Sequence, residues 1–332
     1  MSAVQSYSNS SSSKYLSVFK HVKFEHLVAG GAGGLISSVA LHPFDLIKIR
    51  LAVNDGQSKK HRNYTGFVNA VQNIVRSESF AGLYSGAVPS IVGAAFSWGS
   101  YLLIYNFFKS YIQDGNDEKA LNASMNTLCA ANAGVITLLM SNPIFVIKTR
   151  LCLQYSKGAN LPETKRYTGM IDAVHKISKN EGIRGLYKGL VPGLFGVSHG
   201  TLQFVVYEEM KNQYNIHLNH PVNRKLETKE YTTFAAFSKL FALAVTYPHQ
   251  VLKTRLHDVN HNYTGTIDCI KRIWKYEGIH GYYKGLNVNL LKVPATVITL
   301  VVYENIKNHL LKPKSEEFQS VKAMNNLEIK KL

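Results

Sequence analysis

Three lysines stand at one fixed spacing in this chain. Lys48, Lys148 and Lys253 each lie five residues after a proline (Pro43, Pro143, Pro248) and two before an arginine (Arg50, Arg150, Arg255). A triplet of ammonium groups can pair with carboxylates or hold an anion. A second triplet, Lys109, Lys211 and Lys307, follows Tyr105-Asn106, Tyr207-Glu208 and Tyr303-Glu304. Two more lysines, Lys239 and Lys292, interrupt otherwise apolar stretches. A lysine in hydrocarbon costs about 2.5–3.5 kcal/mol unless it faces water or a partner. Both therefore point to an anionic group, a carboxylate or a phosphate. Trp98 offers a face on which a flat ring can stack, or packs against lipid. His199 reads equally as a ligand or a core histidine.

Other chemistries find less support. Gly196-Val-Ser198-His199-Gly200 matches the GxSxG of hydrolases, and a membrane-bound esterase is the remote alternative. That motif requires a strand–turn–helix context, whereas here it sits in an uncharged run. Gly30–Gly34 is neither a dinucleotide nor a P-loop motif and reads as close helix packing. Cys129, Cys152 and Cys269 form no CxxC, so no metal site or disulfide framework is expected. The chain carries 38 Lys+Arg against 21 Asp+Glu. That excess implies an anionic partner, but no uninterrupted basic tract marks a nucleic-acid arm.

The elements that must position these residues recur three times. Tyr64–Gly86, Tyr167–Gly189 and Tyr263–Gly285 align without a gap, with Glu78, Glu181 and Glu277 at one offset and Gly82, Gly185 and Gly281 at another. Each block follows one proline–lysine–arginine signature, so three similar parts are expected. Mean hydropathy is near zero, yet Ala87–Phe108, Thr127–Ile147, Gly189–Tyr207, Tyr231–Leu252, Gly285–Tyr303 and a continued Leu27–Leu41 are apolar runs. A span needs about 20 residues, which gives six candidates, two per repeat. Within the blocks Val68, Val71, Ile74 and Val75, with their counterparts Ile171, Val174, Ile177 and Ile267, Ile270, Ile273, Trp274, form a helical stripe. Each repeat thus reads as span, surface helix, span, over residues 24–115, 123–218 and 228–312. Residues 1–23 and 313–332 read as polar, disordered tails; the first lacks the arginine of a transit peptide.

Three copies of Pro-x-x-x-x-Lys-x-Arg, each followed by a Glu-x…Tyr-x-Gly block, resemble the mitochondrial carrier family. Arg166–Glu208 is most similar to the branch that carries folate or FAD, and Phe145 suits that branch; the runner-up is a pyrimidine-nucleotide-like carrier. The resemblance implies an all-α membrane protein: a six-helix barrel in the mitochondrial inner membrane with short surface helices in the matrix. It would be a monomer, in contact with cardiolipin, and a transporter rather than an enzyme. Folate or FAD would be cargo, not cofactor.

The resemblance also assigns roles. A matrix gate would hold Asp45, Phe145 and Gln250 against Lys48, Lys148 and Lys253, with Asp45 pairing Lys148, Gln250 accepting from Lys48, and Phe145 leaving Lys253 a cation–π contact. Asp45 is the one acid among the three signature positions, a departure from the family pattern. A cytoplasmic gate would hold Asn106, Lys109, Glu208, Lys211, Glu304 and Lys307, with Lys109–Glu208 and Lys211–Glu304 as pairs. Between the gates, Gly93, Gly196 and Lys292 would touch substrate together with Trp98, His199 and Lys239, the glycines leaving room for a flat ring. The family usually sets a basic residue three before the last proline, whereas Lys292 stands two before Pro294.

Overall fold

The computed structural model of the chain describes residues 24–55, 64–113, 122–154, 166–219, 221, 224, 226–260 and 263–292. One compact unit comprises residues 42–290; residues 24–41 and 291–292 belong to a second. All regular structure among the described residues is helical. The order is α1 (Phe24–Ala52), α2 (Phe67–Glu78), a 3-10 turn (Phe80–Tyr84), α3 (Ala87–Ile112), α4 (Ala123–Leu153), α5 (Met170–Leu186), α6 (Leu190–His217), α7 (Thr228–His257) and α8 (Thr266–Gly281). Residues 286–292 begin a further helix. The expected tails, and Pro294, Glu304 and Lys307, lie outside the described residues.

Among the described residues, 80–112 and 124–153 are each long and apolar enough to cross a membrane, and α5 with α6 qualifies as a pair bent by 55°. α1 and α7 have the length, at 29 and 30 residues, but not the uniform apolarity expected of spans. Their signature charges, Asp45, Lys48 and Arg50 in α1 and Lys253 and Arg255 in α7, meet protein partners instead of lipid.

Pro43, Pro143 and Pro248 sit inside α1, α4 and α7, where each removes a helix hydrogen bond. The residue just before each proline ties its helix to the turn of its own block. His42 Nε2 donates to the Ser85 carbonyl at 3.0 Å, Asn142 Nδ2 to the Lys188 carbonyl at 3.3 Å, and the Tyr247 hydroxyl to the Lys284 carbonyl at 3.1 Å. Three unlike side chains make one equivalent bond.

The short helices differ from the expected single stripe. Their inward face is Ala70–Ile74–Glu78, with Ala173–Ile177 and Cys269–Ile273 equivalent. Val68, Ile171 and Ile267 point outward, with Ile171 86% exposed. Small Ala and Cys side chains share the inward face with Ile74, Ile177 and Ile273, while other large residues of the sequence pattern face out. A second apolar face suits a helix lying in a membrane interface.

Each block ends on a left-handed glycine, Gly86, Gly189 and Gly285, at φ 78°, 72° and 85°. A Cβ there would lie 3.1, 3.1 and 3.0 Å from the carbonyls of Lys148, Lys253 and Lys48. The turn of each repeat therefore presses on the signature lysine backbone of the next, and the third presses on the first.

Candidate functional site

The signature arginines build the frame. Arg50 is fully buried and grips Glu78 with two bonds, of 2.7 and 2.8 Å. Arg150 grips Glu181 at 2.5 and 2.8 Å. Arg255 grips Glu277 in the same way, with one bond of 2.8 Å. Such forked guanidinium–carboxylate pairs fix geometry as well as charge. The remaining Nε–H of each arginine reaches the neighbouring repeat: Arg50 to the Cys152 carbonyl at 3.0 Å, Arg150 to His257 at 3.1 Å, Arg255 to Ala52 at 2.8 Å. Lys188 adds a second cation on Glu181 at 2.7 Å. Burial acts to raise the Glu181 carboxyl, but its bonds and charge contacts with Arg150 and Lys188 prevail and hold it at about 2.

Two residues before each arginine the signature lysines meet three different partners. Lys148 Nζ lies 3.7 Å from Asp45. Lys48 donates to Gln250 at 2.6 Å and to Asn289 at 3.2 Å. Lys253 sits 5.3 Å from the centre of the Phe145 ring and has no carboxylate partner among the described residues. An ion pair at Lys148, hydrogen bonds to neutral amides at Lys48 and a cation–π contact at Lys253 thus hold a ring of three cations around a single signature acid. The structure brings all six of these residues together.

The second charged set is not assembled in this way. Glu208 pairs at 3.4 Å with Lys211 of its own helix. Among the described residues Lys109 makes no ion pair, and Asn106 is exposed on α3. The expected Lys109–Glu208 contact is therefore not formed, since Glu208 turns to the lysine one turn away. The partners at 304 and 307 lie outside the described residues.

Between these levels the glycines differ from the expectation of open room. A Cβ on Gly93 would meet Ile144 at 3.1 Å, and one on Gly196 would meet His249 at 2.8 Å. Both glycines let neighbouring helices approach closely. Lys292 is the last described residue, half-buried, in the smaller unit. Lys239 is exposed on α7, at the helical spacing that puts it on one face with Thr246 and Gln250. Trp98 is 68% exposed and meets Tyr101 edge-on at 6.3 Å.

His199 contacts Thr246 across the α6–α7 boundary, Nδ1 to Oγ1 at 2.9 Å. The Thr246 hydroxyl donates its proton to the Ala242 carbonyl at 2.7 Å, so His199 must donate through Nδ1. Ser198 donates to the Phe195 carbonyl at 2.6 Å within the continuous helix α6. GxSxG here is therefore a helical segment and not a nucleophile elbow, which removes the esterase alternative.

Sequence reasoning missed His42, Asn142 and Tyr247, whose shared role is hidden by unlike residue types. It also missed His249, which fills the place above Gly196, and Tyr101 and Tyr105, which stack 6.1 Å apart on α3. The i,i+4 spacing of these two tyrosines was the available signal.

Comparison with known proteins adds the following. The profile of the mitochondrial carrier protein family matches residues 19–116, 119–218 and 224–314. The chain is 37% identical over 295 residues to "Folate transporter 1, chloroplastic" of Arabidopsis thaliana, covering 86% of this chain and 94% of that protein. It is 34% identical over 317 residues to "Mitochondrial FAD carrier protein FLX1" of Saccharomyces cerevisiae, covering 86% and 97%. It is also 34% identical over 290 residues to "Nicotinamide adenine dinucleotide transporter 1, chloroplastic" of Arabidopsis thaliana, covering 85% and 91%.

Proposed function

The chain belongs to the mitochondrial carrier family, whose members are transporters and not enzymes, and from that premise we propose that it moves folate or FAD across the mitochondrial inner membrane into the matrix. The observation that carries this reading is the unequal ring of Asp45–Lys148, Gln250–Lys48 and Phe145–Lys253. Three cations facing one signature acid favour an anionic cargo, and Lys239 and Lys292, each within an apolar stretch of sequence, carry the same preference. The names of the folate and FAD relatives support the choice of cargo.

In this reading the lysine ring is the matrix gate. Opening it breaks the Asp45–Lys148 ion pair and the weaker contacts of Lys48 and Lys253, and cargo that binds the open form better supplies the difference in free energy. The set at Asn106, Lys109, Glu208, Lys211, Glu304 and Lys307 is the opposing gate, open when its inter-helix pairs are unmade. A dinucleotide or nucleotide cargo is the second reading, favoured by the similarity to a nicotinamide adenine dinucleotide transporter.

The test is purified protein in liposomes, offered labelled folate, FAD, NAD and pyrimidine nucleotides side by side. Folate or FAD uptake is expected, with Lys292→Ala reducing it at least tenfold. Uptake of neither, with robust exchange of the nucleotides, would replace this reading by the second.

A further inference from the structure

Most helical glycines in the larger unit have a packing duty. A Cβ would press on Ile144 at Gly93, on Val197 at Gly134, on Leu138 at Gly193 and on His249 at Gly196. Gly200 has none: it lies within α6, and nothing stands within 4 Å of the place its Cβ would take. A glycine there weakens a helix relative to alanine, so its use must be sought outside the fold. Gly99 is equally open but is not among the residues that line the cleft beside Gly200.

Gly200 opens onto a cleft of about 1310 Å³, counted with its open mouth, between α3, α4 and α6. On one side stand Tyr101 and Tyr105, stacked 6.1 Å apart with their planes 13° from parallel. The rest of the lining includes the open backbone at Gly200, Gly134 with Val197 packed against it, and the polar groups of Asn126 and Thr127. Counted back from the tyrosines at 105 and 207, Gly200 is the α6 counterpart of Trp98 on α3. Where one repeat carries an indole, the next carries no side chain, and the gap is one-sided. A flat ring needs an aromatic face to stack on and a second surface that it can approach at van der Waals distance.

We propose that this cleft is a subsite for the planar heteroaromatic ring of the transported anion, with Tyr101 as its stacking face and Gly200 as the opening to the α6 backbone. The proposal rests on the reading of the chain as a carrier of a ring-bearing anion. It assigns ring recognition to Tyr101 in place of Trp98, which does not line the cleft.

The probe is lumichrome, an uncharged tricyclic flavin ring, titrated onto the purified full chain while its fluorescence quenching is followed. Quenching that saturates is expected for the wild type. Tyr101→Leu and Gly200→Leu should each weaken it about tenfold, the loss of one stacking contact, while Tyr101→Phe keeps it. Gly200→Ala should weaken it in part and melt no lower than the wild type, which separates a ligand role from a folding role. Equal quenching in wild type, Tyr101→Leu and Gly200→Ala overturns the subsite. So does a Gly200→Ala protein that transports slowly with unchanged quenching, which would give the glycine to helix movement. Parallel folate and FAD uptake keeps the two ideas apart. Uptake sensitive to Lys292→Ala but indifferent to Tyr101→Leu sinks the subsite alone; ring binding without folate or FAD uptake sinks the cargo assignment alone.

Discussion

Ser79 holds φ 68° and ψ 175°, a region populated almost solely by glycine. The other repeats place Gly182 and Gly278 at this offset, at φ 69° and 62°. Such a conformation costs a non-glycine residue about 1–3 kcal/mol, against about 0.5–1 kcal/mol for the extra freedom glycine loses on folding. Ser79→Gly is therefore expected to raise the Tm by a few degrees (about 2–4 °C per kcal/mol in mid-sized domains), followed by thermal unfolding in detergent. An unchanged or lower Tm would mean that the serine turn relaxes at no cost. The fixed offsets of glutamate and glycine are visible in the sequence, but a dihedral angle is not, so the strained copy passes unnoticed among its relaxed counterparts. The partners of the lysine ring were legible only through the family resemblance, which implied which signature position each lysine faces; the residue types at 45, 145 and 250 then say what kind of contact each can make. The duty of Gly93 and Gly196 was not legible, because Ile144 and His249 come from neighbouring helices and no spacing along the chain reveals which atoms fill the gap.

At the scale of the element, α5 is held to α4 by a carboxylate that must stay ionised. Glu181 is held below its ordinary 4.5, at about 2, and Glu277 is lowered by Arg255 and Lys284 against the opposing effect of burial. A carboxyl whose folded value lies below its unfolded one contributes full stability above the unfolded value. That contribution fades as pH falls from about 4.5 towards 2. For Glu181 it amounts to at most about 3 kcal/mol, and less because Lys188 is partly in solvent. The Tm should fall steeply below pH 4.5. Glu181→Gln should lower the Tm at pH 7 and flatten the acid limb; an acid limb of wild-type slope in that variant would remove Glu181 from this role. The inward face of α2, α5 and α8 teaches a similar lesson about reading. Ala70, Ala173 and Cys269 are too small to mark a stripe, yet they are buried together with Ile74, Ile177 and Ile273.

At the scale of the whole molecule, threefold repetition supplies the frame and its departures supply the function. The Arg–Glu pairs and the glycine turns are equivalent in all three repeats, while the lysine ring has three unlike contacts. Phe145→Asp would set a carboxylate opposite Lys253 and make a second ion pair in the ring. If the ring is a gate, this should raise the Tm and slow turnover in liposomes, because the closed form gains an interaction that opening must break. Unchanged Tm and unchanged transport rate together would show that the ring does not limit the cycle.

The arginine Nε bonds have one further property. Arg50 reaches Cys152, Arg150 reaches His257, and Arg255 reaches back to Ala52. A circle of donors has no first or last member, although the polypeptide does. The bond from the third repeat to the first crosses 203 positions of chain, yet it has the same donor and the same kind of acceptor as the two that join consecutive repeats. Neighbourhood here is decided by interlocking surfaces and not by order of synthesis. The connectors deliver the repeats to one another, and the circle of guanidinium donors tells each which side to present to the next.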